Sequence, residues 1–202
     1  MAYGREMMTS TKEQLLDAAG KLIHVRGFKN TSVDDILKET GVGKGNFYYY
    51  FKSKDELGYA ILDRKISQIT TELIEKSFIA EKDPWEQITD LLDAQVTRAR
   101  RHGCTGGCLL GNLAVELSDI HEEFRQRLDS AFRNLRSRIE GALAQAETQG
   151  TLRPGANIGR LAHFIVAGFE GALMMGKLYK DPGVVDGIVE EVKGHLAQYR
   201  VA

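Results

Sequence analysis

GVGKGNFYYYFKSKDEL, from Gly41 to Leu57, sets two turn glycines, a short aromatic-rich helix and a basic helix start within seventeen residues. Immediately before it, TSVDDILKET, from Thr31 to Thr40, spells an amphipathic helix with Val33, Ile36 and Leu37 on one side and a polar start at Ser32. Two short helices joined by a glycine turn make a helix-turn-helix, whose second helix is built to enter the major groove of DNA. The stretch reads as a device for gripping DNA.

Working outward, each neighbouring helix is marked by side chains that satisfy the orphan amides of its first turn. Ser10 to Glu13 is a capping box, followed by Leu15, Leu16, Ala19, Leu22 and Ile23 at helical spacing, and Gly27 closes that first helix. Ser53 to Glu56 is a second box and opens a fourth helix through Leu57, Ile61, Leu62, Ile66 and Ile69 to about Phe78. Beyond Asp83 and Pro84, Trp85, Ile88, Leu92, Val96 and Ala99 mark a fifth helix. A glycine cluster (Gly103, Gly106, Gly107) precedes a sixth with Leu109, Leu110, Leu113 and Leu117. Phe124 to Ala146, Ile158 to Tyr179 and the segment after Pro182 predict three more. No stretch alternates like a strand, so the expected fold is all-α with about nine helices: a three-helix DNA-binding domain over 1–53 and a larger helical bundle over 54–202. The eighth helix carries Gly159, Gly168, Gly171 and Gly176, each costing about 1 kcal/mol against alanine in a helix interior. That cost points to close approach of another helix or of a ligand.

With 202 residues and 43% hydrophobic content the chain can bury a sizeable core. Its net charge of -1 hides local placement, since Lys44, Lys52 and Lys54 bracket the aromatic run while Asp34, Asp35 and Glu39 sit on the preceding helix. The apolar stretch from Phe164 to Gly176 is broken by Glu170 and is shorter than a bilayer span, the N-terminal MAYGREMM lacks a secretory apolar region, and two cysteines do not suggest a disulfide scaffold. A cytoplasmic protein without a membrane partner is expected.

The ordered string Gly27-Phe28, Thr31-Ser32-Val33, Asp35-Ile36, Gly41-Val42, Lys44-Gly45, Phe47-Tyr48, Tyr50-Phe51 and Lys52-Ser53-Lys54 resembles the TetR family of one-component transcriptional repressors. The resemblance implies a homodimeric, DNA-binding repressor of a palindromic operator, released by a small-molecule effector, with no cofactor and no metal. A recognition helix needs small or polar groups at its start against base edges and flanking anchors on phosphate. Lys44 can donate to guanine, Asn46 can pair with adenine or hold phosphate, and Gly45 lets the backbone come close. Ser32, Tyr48, Tyr49, Tyr50 and Lys54 complete the expected DNA-binding set, whereas Phe47 and Phe51 are read as core. The family's dimer is built from the last two helices, and Leu161, Ile165, Val185, Ile188, Val192 and Leu196 are the expected seam, with the chain's internal core as the competing role.

The segment GCTGGCLLGNLAVELSD, from Gly103 to Asp119, resembles that of the family's electrophile-sensing repressors, which implies sensing at Cys108. Cys108 falls at a helix start, where first-turn amides lower a thiol's pKa. Cys104 is an accessory thiol and Lys177 a candidate amine for a sulfenic acid to meet. A noncovalent effector pocket lined by Trp85, Asn112, Phe164, Met174 and Met175 is the favoured sensing device. His102, Cys104, Cys108 and His121 match no zinc spacing. Two competing functions are a thiol enzyme using Cys108 with His121, for which no oriented third residue is apparent, and a helical interaction module without specific DNA binding.

Overall fold

The computed structural model describes residues 10–201; the MAYGREMM stretch, expected to carry no export signal, lies outside them. Nine helices are described: α1 (Thr11–Arg26), α2 (Val33–Thr40), α3 (Lys44–Tyr50), α4 (Lys54–Ile69), α5 (Pro84–Arg101), α6 (Leu109–Leu117), α7 (Glu122–Thr148), α8 (Ile158–Tyr179) and α9 (Pro182–Ala197). α4 continues through a π-type stretch, Thr70–Ile74, and a last turn, Glu75–Ser77. The all-α expectation holds, and the only pairing of extended backbone among the described residues is one antiparallel bridge between Leu152 and Arg200.

The predicted caps form where the side-chain chemistry calls for them. Ser10 accepts from the Glu13 amide at 3.2 Å, and Ser53 from the Glu56 amide at 3.1 Å. Asp83, Asn157 and Asp181 cap α5, α8 and α9. Gly41 ends α2 at φ 69°, a left-handed conformation that a residue with a Cβ rarely adopts.

The chain forms two compact units, 1–65 and 66–202. The first takes in the opening turns of α4, which the division at 53/54 gave to the second, because Leu57, Ile61 and Leu62 are buried there. Its core also holds Leu15, Leu16, Ala19, Ile23, Phe28, Ile36, Phe47 and Phe51. Arg64 ties α4 to α1 through Glu13 at 3.1 Å and Asp17 at 2.7 Å.

In the second unit α5, α7, α8 and α9 share one core. Two of α8's glycines are explained by helix contact: a Cβ on Gly168 would lie 2.6 Å from Val192 Cγ2, and one on Gly176 would collide with Val185. α8 meets the length and hydropathy of a bilayer span, further than the Phe164–Gly176 stretch alone suggests. One of its faces is the core of this unit, with Leu161, Ala162, Ile165, Phe169, Ala172 and Gly176 buried.

Overpacking at these contacts has a cost. Gly168→Ala and Gly176→Ala should each destabilise the protein by about 1–3 kcal/mol. Gly141→Ala, in open space on α7, should stabilise it by up to about 1 kcal/mol. Denaturant unfolding of the three variants measures both signs.

Candidate nucleic-acid interface and thiol site

α3 has only seven residues and is anchored by one inward side chain. Phe47 is fully buried, with Tyr48 edge-on at 5.2 Å and Phe51 at 6.1 Å between ring centroids. Helical spacing puts Gly45 and Tyr49 opposite Phe47, and a Cβ on Gly45 would meet nothing within 4 Å. Tyr49 is 81% exposed; Lys44, Asn46, Tyr48 and Tyr50 are exposed beside it. Tyr49 and Tyr50 brace each other in a T-shaped contact at 4.9 Å. The structure thus gathers six of the eight expected DNA-contacting residues on one open helix.

The other two make hydrogen bonds within the chain, Ser32 at an exposed position and Lys54 at a half-buried one. Ser32 caps α2: its hydroxyl accepts from the Asp35 amide at 3.1 Å and donates to the Asp35 carboxylate at 2.6 Å, while the Ser32 amide donates to that carboxylate at 2.9 Å. These bonds hold the Asp35 pKa below its ordinary value. The Lys54 ammonium donates to the Phe28 carbonyl at 3.0 Å and lies 4.4 Å from the centroid of the Phe28 ring. Both residues therefore also brace the helices on either side of α3. Thr31, which the sequence places in the helix-turn-helix string without a role of its own, is fully buried and donates to the Gly27 carbonyl at 2.8 Å, pinning the α1–α2 turn.

In the second unit the residues proposed for sensing separate into two places. Cys108 is the N-cap of α6, and its sulfur accepts from the Gly111 amide at 3.4 Å. The thiol is also hydrogen-bonded to the Glu170 carboxylate of α8. Gly111 makes room for that carboxylate, since a Cβ there would collide with Glu170 Oε2. Next to this pair, Asn112 donates to the Gly106 carbonyl at 2.7 Å and accepts from Lys177 at 3.3 Å. The Lys177 side chain runs over Gly107, 3.2 Å from where a Cβ would stand.

The lowered pKa expected for Cys108 is reversed. Burial, then the Glu170 charge, push the thiol up to about 12, against the opposing pull of the Gly111 and Leu110 amides. A helix start favours a thiolate, but here a carboxylate occupies the same space. Burial also raises the Glu170 pKa, opposed by the bond from Cys108 and by the Arg98 charge. Cys104 sits apart in the core near Gly176, in a positive-φ turn, its thiol raised by burial and then by Asp181.

Phe164 and Met174 do not join this cluster. They are 42% and 62% exposed on the face of α8 that also carries Ala167, Gly171 and Leu178. Trp85 is core and donates to Thr151 at 3.1 Å. The expected dimer seam is corrected too: Leu161, Ile165, Val185, Val192 and Leu196 are buried within the chain's own α8–α9 core, and only Ile188 remains partly buried. Among the described residues no three His, Cys, Asp or Glu side chains converge on a metal-sized site.

With this geometry in hand, comparison places the chain among known proteins. Residues 15–61 match the family described as bacterial regulatory proteins, tetR family, and residues 84–192 match the tetracyclin repressor-like C-terminal domain. An HTH-type transcriptional regulator from the lacX 3' region of Lactococcus lactis is 32% identical, aligned over 92% of this chain and 93% of its own. The HTH-type transcriptional repressor NemR of Escherichia coli is 27% identical over 93% of this chain and 94% of its own. The crystal structure of NemR in its reduced form superposes with a TM-score of 0.80 at 27% identity, covering 91% of this chain and 95% of that one. A TetR regulator from Chloroflexus aurantiacus superposes at 0.87 with 27% identity, over 95% and 97% of the two chains.

The division between positioning and open residues is measurable without DNA. Ser32→Ala should lower stability by about 1 kcal/mol through loss of the cap. Tyr49→Ala, at an open site, should change it by less than about 0.5 kcal/mol. Equilibrium denaturation distinguishes the two.

Proposed function

The chain belongs to the TetR family of bacterial regulatory proteins and is a helix-turn-helix transcriptional regulator; from that premise we propose that it represses by occupying a palindromic operator as a homodimer. The observation that carries this reading is the open surface of α3, where Lys44, Gly45, Asn46 and three tyrosines surround a helix held from behind by Phe47. Lys44 and Asn46 have the donors and acceptors that read base edges, and the tyrosine hydroxyls suit phosphate oxygens. Gly45 lets the helix approach closely. DNA lies inside the cell, so the protein works in the cytoplasm.

The homodimer assignment draws on the second face of α8 and its continuation on α9. Phe164, Gly171, Met174 and Leu178 project from α8, and Gly187 and Gly194 of α9 leave space where a Cβ would meet nothing. Phe164 packs against His195 with ring centroids 4.6 Å apart, joining the two helices into one surface. An apolar surface with glycine gaps suits a second copy of the same helix pair, as the family's dimers use.

Effector response is assigned to the second unit, with Cys108 as the responding group, supported by its contact with Glu170 and by the neighbouring Asn112–Lys177 pair. The relative solved in a specified reduced form supports a thiol-dependent state. The backbone joining the two units is α4, and its π-type stretch Thr70–Ile74 is a place where a helix can change hydrogen-bond register and so pass a signal on. A thiol enzyme using His121 as base is disfavoured: the His121 ring packs edge-on against Phe124 at 4.9 Å, while Cys108 bonds to Glu170. The relatives are regulators.

Lys44→Ala and Tyr48→Ala should each weaken operator binding by about 1–3 kcal/mol, roughly 5- to 150-fold, with the unfolding transition unchanged. Fluorescence anisotropy with DNA from upstream of the gene reads the loss, and affinity should fall steeply with salt. Binding at wild-type affinity in both variants would contradict the assigned interface. Met174→Glu should lower the molar mass in solution to that of one chain, read by light scattering.

A further inference from the structure

The outermost line of α3 is made by Gly45 and Tyr49, one turn apart and opposite the buried Phe47. A helix held to its domain by one side chain presents the opposite line deepest in the major groove, where base edges rather than phosphates lie. Tyr49 is 81% exposed on that line, against 49% for Tyr48 and 38% for Tyr50 beside it. One turn earlier, a Cβ on Gly45 would meet nothing within 4 Å, so the backbone is bare there and no second side chain on the line holds the ring away from the bases.

The Tyr49 ring also has a fixed attitude. Tyr50 meets it in a T-shaped contact at 4.9 Å with the planes 86° apart, so the ring is braced before DNA arrives and loses little side-chain freedom on binding.

A braced aromatic ring at this depth suits one feature of the groove. Base edges there offer hydrogen-bond donors and acceptors and a single kind of apolar group, the C5 methyl of thymine. A ring face cannot replace a donor or an acceptor, but it gains by covering a methyl group, because both surfaces leave water. We propose that Tyr49 sets the sequence preference at one position of each half-site by covering a thymine methyl with its ring, while Tyr48 and Tyr50 turn their hydroxyls to the groove walls. This role, which rests on α3 being the helix that reads DNA, belongs to the ring, and the hydroxyl of Tyr49 is dispensable. Burying one methyl group is equivalent to about a fourfold gain in affinity, and the two half-sites of an inverted repeat together give about 15-fold.

The test uses a duplex selected by the full-length protein from a random pool, synthesised once with thymine and once with deoxyuridine at every thymine position. The replacement removes only C5 methyl groups and leaves every phosphate and every hydrogen-bonding group in place. Fluorescence anisotropy gives each protein's affinity for both duplexes. The wild type should bind the thymine duplex about 15-fold more tightly. Tyr49→Phe should keep that preference, whereas Tyr49→Ala should bind the thymine duplex more weakly and lose most of the difference between the two. Equal binding of both duplexes by the wild type, or a preference that is the same in Tyr49→Ala, overturns the assignment. Tyr49→Phe that loses affinity equally for both duplexes reveals a hydroxyl contact and overturns it as well. Each of those outcomes leaves the operator reading standing, since a sequence has still been selected. Selection of no sequence at all removes the operator reading and the role of Tyr49 with it.

Discussion

The placement of Phe47 is the contact on which the DNA-binding surface depends. A helix of seven residues is far below the length at which isolated helices are stable in water, so α3 exists because its one buried ring docks into the core of the first unit. Everything useful on α3 is placed by that docking, since a rotation about the helix axis would move Lys44, Asn46 and Tyr49 together. The surrounding hydrogen bonds serve the same end. Thr31 on Gly27, Ser32 with Asp35, and Lys54 on Phe28 fix the turns on either side of α2 and the start of α4. Polar side chains that look suited to phosphate also stiffen the frame that presents the reading helix.

The second unit is organised by a helix with two apolar faces. α8 buries Leu161, Ile165, Phe169 and Ala172 among its own neighbours, and α9 comes close enough that Gly168 and Gly176 have no room for a methyl group. The opposite face, with Phe164, Gly171, Met174 and Leu178, stays open in the single chain. Beyond its first two turns, two charged side chains interrupt this apolar helix, and both reach toward the same place: Glu170 toward Cys108 and Lys177 toward Asn112, seven residues apart on one edge of α8. Removing charged groups from water is costly, and they are held here by a thiol, an amide and glycine-made space. The same helix thus presents a core face, an open apolar face and a polar edge beside Cys108.

Much of the fold was legible in the sequence because helix starts and stops are local chemistry. Ser10, Ser32, Ser53, Asn157 and Asp181 announce starts within four residues, and Gly41 an end. The inward role of Phe47 and Phe51 followed from spacing as well. Spacing could not tell which of two apolar stripes faces the chain's own core. Leu161, Ile165 and Val192, expected at a seam between copies, lie on the inner stripe, and Phe164 and Met174, expected in a pocket lining, lie on the outer one. The sign of the Cys108 shift was illegible for a similar reason: a helix start is visible in the sequence, but the carboxylate laid over it comes from a residue sixty-two positions away. The absent side chain at Gly111 was the available hint.

The central claim is that a pair of these small, rigidly docked helices reads one face of a DNA duplex with two-fold symmetry. Selection of bound sequences from a random duplex pool by the purified full-length protein tests it most directly. The account predicts enrichment of an inverted repeat whose half-sites are separated by about one helical turn or a multiple of it. Enrichment of a single unrepeated site, or of no sequence at all at salt concentrations where the protein is folded, would contradict it.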